Sequence, residues 1–122
     1  MSGAEGPLGF VMLCHTALHR AAGVARHWAG QGCPVVIHVD RRVPAAEFAA
    51  MRDGLADLGH VRFARRYRCD WGMWNLVAAT QTAAEQLLAG FPGVRHVFLA
   101  SGACLPLRPV AELQAYLAAH PD

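Results

Sequence analysis

The run Pro34-Val35-Val36-Ile37-His38-Val39-Asp40 constrains this chain more than any other segment. Its β-branched residues favour extended backbone, because two heavy atoms on Cβ restrict χ1 and pack well on a pleated surface. Apart from His38 and the terminal Asp40 it is apolar on both alternating faces, as a strand covered on both sides must be. Similar runs stand elsewhere: Phe10-Val11-Met12-Leu13-Cys14, the short Val61-Arg62-Phe63, and His96-Val97-Phe98-Leu99-Ala100. Between them the apolar period lengthens to that of a helix. From Thr16, a candidate cap, to about Gly30, residues Leu18, Ala22, Val24, Ala25 and Trp28 form one stripe, with Gly30 and Gly32 as stops. Pro44 opens a second helix bearing Phe48, Met51, Leu55 and Leu58. A long third helix starts at Met73 or Trp74 and closes at Gly90 and Pro92, and a last one spans Val110 to Ala119. Strand and helix thus alternate four times. That order predicts right-handed βαβ crossovers and an α/β fold, a Rossmann-like parallel sheet of about four β-α units.

The 122 residues suffice for one domain with a modest core, and a hydrophobic content of 54% with mean hydropathy +0.22 excludes a disordered chain. Residues 1–9, ending Gly6-Pro7-Leu8-Gly9, read as a disordered terminus, and 10–122 as the folded portion. All eleven basic residues are arginine, which with the abundant alanine reads as a GC-rich coding bias. A net charge of +2 with scattered arginines is too small to argue for nucleic acid, and no nucleic-acid partner is expected. The one cluster, Arg62, Arg65, Arg66 and Arg68, is either a solvated strand end or a contact for an anionic ligand. Cys14, Cys33, Cys69 and Cys104 lack Cys-x-x-Cys spacing, so reduced thiols and a cytoplasmic location are the expectation. No signal peptide and no run long enough to cross a membrane is visible.

Open α/β sheets bind ligands at the carboxyl ends of their strands. Those ends carry Cys14 and His15, then His38 to Arg42, then Cys69 to Trp74, then Ser101 to Arg108. Every unusual residue of the chain falls on that edge. Asp40 ends the second strand, where an acidic side chain accepts hydrogen bonds from a nucleotide's sugar or base, or else serves a loop. The first turn, Cys14-His15-Thr16-Ala17, has no Gly-x-Gly-x-x-Gly, so a dinucleotide cradled on glycine backbone is not expected. His15 and His19 stand four apart without a matching carboxylate, which does not make a metal site. His15 is either a hydrogen-bonding group at the crevice or structural, and His38 reads as a buried, bonded histidine. Trp71 precedes the third helix and can face the crevice as a stacking surface, whereas Trp74 suits the core.

These residues resemble the core-2/I-branching β-1,6-N-acetylglucosaminyltransferase family, which also includes the peptide O-xylosyltransferases. Four blocks in order carry the resemblance from Phe10 to about His120. They are the apolar strand ending in His15; Ile37-His38-Val39-Asp40 with Arg41 and Arg42; Trp71-Gly72-Met73-Trp74-Asn75-Leu76-Val77 with Gln81; and Leu99-Ala100-Ser101-Gly102-Ala103-Cys104-Leu105-Pro106-Leu107-Arg108. The resemblance implies a GT-A fold and transfer of a sugar from a UDP-sugar to a carbohydrate or other hydroxyl acceptor, with inversion. It implies that Leu13, Cys14, His15, Asp40, Arg41, Arg42 and Trp71 line the uridine pocket. No metal and no other cofactor is implied, because the family lacks Asp-x-Asp and neutralises the leaving diphosphate with basic side chains. Membrane association enters only through the family.

Cys104 replaces the usual acid of Ser-Gly-x-Asp-x-Pro, and the family's catalytic Glu and its diphosphate-binding Arg and Lys match nothing in these residues. Glu47, Asp53, Asp57, Glu85 and Glu112 fall on helix bodies, so no catalytic residue is assigned. The expectation is the nucleotide-sugar-binding N-terminal half of such an enzyme, an incomplete domain with exposed apolar surface where the other half packs. The alternatives are a non-catalytic nucleotide-binding or flavodoxin-like domain, and an inactive gene fragment.

Overall fold

The computed structural model describes residues 8–68 and 74–101, with residues 74–76 and 101 described as backbone. The order is β1 (Leu8–Cys14), α1 (Leu18–Gly30), β2 (Val35–Val39), α2 (Ala45–Gly54), β3 (Val61–Phe63), α3 (Trp74–Gly90) and β4 (His96–Ser101). The four strands form one sheet in the order β3-β2-β1-β4, and every pairing is parallel. The fold is therefore α/β and Rossmann-like, with the strand order turning back between β1 and β4. The fourth helix expected over Val110 to Ala119 lies outside the described residues.

Two apolar clusters flank the sheet. On one face Phe10, Met12, Cys14, Val35, Ile37 and Val39 pack under α1 and α2, with Trp28 stacked on Phe10 at 3.9 Å between ring centroids. On the other face Val11, Val36, Ala83, Leu87, Phe91 and Val94 form a smaller cluster beneath α3, against which Leu13 packs. Met12 and Ile37 are fully buried, each contributing roughly 1.5–3 kcal/mol through removal of apolar surface from water. Gly9 lies where Leu87 crosses β1: a Cβ there would stand 2.9 Å from Leu87 Cδ2. The glycine thus sets how closely α3 approaches the sheet.

Three boundaries differ from the sequence reading. The first strand begins at Leu8, paired with His96, so the ordered sheet reaches two residues back into the expected disordered segment. The first helix begins at Leu18 after Ala17, whose φ of 50° and ψ of 48° place it in the left-handed region, and no side chain caps it. Thr16 stands one residue too early to act as that cap. The second helix ends at Gly54, and the amide of Leu55 donates to the carbonyls of Met51 and Arg52. Leu55 and Leu58 still pack on the core, from the turn after the helix.

At the β4 edge the side chains of Val97, Phe98 and Leu99 are exposed, as are Val77 and Leu88 of α3. Among the described residues no helix is long and apolar enough to cross a membrane.

Candidate functional site

The carboxyl ends of β1 and β2 open onto a cavity of about 430 Å³, lined by His15, Thr16, Ala17, Leu18, Asp40, Arg42, Val43, Pro44 and Glu47. Two helix N-termini meet there, that of α1 and that of α2. Neither N-cap residue, Ala17 or Pro44, makes a side-chain cap hydrogen bond, and the partial positive charge of both N-termini lies near the cavity. Ala17 is, among the described residues, the one non-glycine with positive φ. An L-residue pays roughly 1 kcal/mol for that conformation, and here it turns the chain from β1 into α1.

Asp40 follows directly on β2, and its amide donates to the Cys14 carbonyl at 2.8 Å, which locks the two strand ends together. Its side chain is buried, at 4% exposure. Asp40 Oδ1 accepts the Arg42 amide at 2.9 Å and Arg42 Nε at 3.0 Å, while Oδ2 accepts Arg42 Nη2 at 3.0 Å. The carboxylate is thereby held in one orientation and partly neutralised by a guanidinium that is itself half-exposed.

The sequence-derived site residues separate. His15, Asp40 and Arg42 line the cavity together. Leu13 and Cys14 point to opposite faces of the sheet, Leu13 beneath α3 and Cys14 into the core under α1 and α2. Burial pushes the Cys14 thiol up to about 12, so it is an apolar filler, and it touches the site through its backbone carbonyl. Arg41 is exposed, and its amide donates to the Tyr67 carbonyl. Trp71 lies outside the described residues. Glu47 corrects the sequence reading, because the first turn of α2 places it on the cavity wall rather than on a helix body remote from the crevice.

Beneath the turn lies His38, buried and accepting the Tyr67 amide on Nε2 at 2.8 Å. That bond requires Nε2 to be bare, so the neutral ring is the form held. Burial pushes its pKa below the ordinary 6.5, against the opposing pull of the Asp40 carboxylate and with a further push from Arg66. The arginine cluster does not act as one group. Arg62 lies over Phe91 and Arg65 over Tyr67, whereas Arg66 is half-buried against the β2–α2 turn. Among the described residues no three His, Cys, Asp or Glu side chains are grouped as metal donors.

A parallel sheet with helices on both faces, and a cavity at its carboxyl edge with a strand-end aspartate in its wall, define an α/β protein whose cavity lies where such sheets bind their ligands. The family model of the Core-2/I-Branching enzyme matches residues 9–122, and the chain belongs to that family. It is thus a glycosyltransferase-family protein, whose partners are a sugar donor and an acceptor. No curated protein matches the chain.

Proposed function

We propose that the cavity is the uridine pocket of an inverting, UDP-sugar-dependent glycosyltransferase of GT-A type, and that the chain is its donor-binding portion. One observation carries this reading: the Asp40 carboxylate is buried, oriented by Arg42, and set in the wall of a cavity between two helix N-termini. A carboxylate only accepts hydrogen bonds, and a uridine offers donors to it from the uracil N3–H and the ribose hydroxyls. The cavity volume falls within the roughly 300–1,000 Å³ typical of small-molecule sites. Arg42, His15 and the amides opening α1 and α2 are the groups able to meet the diphosphate.

In the transfer itself an acceptor hydroxyl attacks the anomeric carbon as the bond to the β-phosphate oxygen breaks, and a carboxylate takes the hydroxyl proton. The chain's part is to hold the nucleotide and to place fixed positive charge where negative charge grows on the leaving UDP. The family resemblance points to N-acetylglucosamine or xylose as the donated sugar. The aromatic Trp71 completes the pocket in this reading. Calorimetric titration of the chain with UDP, uridine, ADP and GDP tests it. Millimolar or tighter binding of UDP, stronger than that of either purine nucleotide, is the expected result. Equal binding of all the nucleotides, or none, would remove the uridine pocket.

A further inference from the structure

We infer that Arg66 is the positioning residue of this pocket: its guanidinium fixes the β2–α2 turn in the form that presents Asp40 and Arg42 to the cavity. The inference rests on the uridine reading only for the identity of the ligand that benefits.

The need for such a residue follows from strand lengths. Within the sheet, residues 35, 37 and 39 of β2 direct their backbone groups toward β3: the Val35 amide donates to His60, and the Ile37 carbonyl accepts from Ala64. Strand pairing ends there, since β3 stops at Phe63, opposite Ile37. Val39 therefore has a carbonyl on that side with no strand to meet it, and the turn beyond adds more. Arg66 takes them over. Its Nε donates to the Val39 carbonyl at 3.2 Å, and its Nη2 donates to the carbonyls of Asp40 at 3.0 Å and Val43 at 2.6 Å. Its guanidinium lies over the Phe48 ring of α2 at 4.5 Å. One side chain thus ties the last residue of β2, the residue bearing the carboxylate, and the entry to α2.

The neighbouring backbone secures Arg66 in turn. Tyr67 donates its amide to His38 Nε2 and accepts the Arg41 amide on its carbonyl, so the end of β2 and the start of the turn are pinned from the same segment. An arginine suits this place because its planar fork carries donors along two directions at fixed geometry. A lysine at the same position carries the charge but has one ammonium to share among three carbonyls on separate residues. Arg66 does not line the cavity, so it acts through Asp40 and Arg42.

The test uses the full chain with Arg66→Lys and Arg66→Gln, read by amide hydrogen exchange and by UDP titration. The turn amides of Arg42 and Val43 are expected to lose protection by roughly tenfold or more, the scale of one lost hydrogen bond. Amides of Met12 and Ile37 in the centre of the sheet keep theirs, and UDP affinity falls by a similar factor. In Arg66→Ala, added methylguanidinium restores affinity, which a loss of general stability would not allow. Unchanged turn exchange in both variants overturns the inference. So does loss of protection spread evenly over the sheet, or a loosened turn with UDP affinity intact. If Arg66→Gln does not fold, Arg66→Lys carries the comparison. A wild-type chain that binds no UDP ends the uridine reading alone, and exchange at the turn then decides the role of Arg66.

Discussion

Replacing Asp40 by asparagine separates the ligand-binding role of its carboxylate from its structural role. The structural role is divided between two oxygens: Oδ1 holds the Arg42 amide and Nε, and Oδ2 holds Nη2. Asparagine keeps an acceptor for the Arg42 amide, so the turn is preserved, while its NH₂ faces Nη2, donor against donor. The Arg42 side chain is 46% exposed, and water can take up the displaced guanidinium. The cost to the fold is therefore small, below about 1 kcal/mol for a screened pair with one half-exposed partner. The cost to the nucleotide is larger. A hydrogen bond to a charged group contributes roughly 1.5–3 kcal/mol, so its loss weakens UDP binding by about 10- to 150-fold. Calorimetry on wild-type and Asp40→Asn chains, with thermal melts run in parallel, measures both quantities. Binding of UDP within about twofold of wild type, where roughly 1.5 kcal/mol was to be lost, would refute the assignment. A melting loss as large as the loss in affinity would refute the division of roles.

Three further outcomes follow from the packing. Gly9→Ala brings a Cβ within 2.9 Å of Leu87 Cδ2 and 3.2 Å of Val94 Cγ1 in a closed core, and a thermal melt should show destabilisation. Overpacking costs about 1–3 kcal/mol, offset in small part by reduced chain entropy in the unfolded state. Gly23→Ala lies within α1 with nothing near its Cβ, and the same assay should show stabilisation by up to about 1 kcal/mol. His38 has a folded pKa depressed below 6.5, so the unfolded chain binds more protons than the folded one beneath that pH. Its contribution is complete above pH 6.5 and is lost as pH falls through its folded value. Urea melts from pH 7 to pH 5 should steepen that loss in wild type relative to His38→Gln, and parallel curves would exclude the histidine as its source.

The sheet was legible because burial on both faces leaves an unmistakable run at Val35–Val39, and because each helix shows its own apolar stripe. The carboxyl edge as the place of the candidate cavity followed from parallel topology. What escaped was conformational or directional. The left-handed Ala17 displaces the start of α1, and an alanine carries no sign of such a conformation in its side chain. The resemblance gathers Leu13 and Cys14 at one pocket, yet period-two alternation sends their side chains to opposite faces, a signal present in the sequence. Glu47 could have been found from Pro44, which sets α2 to begin at the crevice and its first turn to face it. Among the clustered arginines nothing in the spacing singles out Arg66. Its role depends on β3 stopping at Phe63, two residues short of the end of β2.

The central claim is that UDP sits between the starts of α1 and α2, and amide chemical-shift mapping of a UDP titration tests it most directly. The account predicts saturable shifts at Thr16–Leu18 and Asp40–Glu47, with the α3 face, including Ala83 and Leu87, left unmoved. Shifts confined to other residues, or none at all as UDP is raised well into the millimolar range, would contradict it.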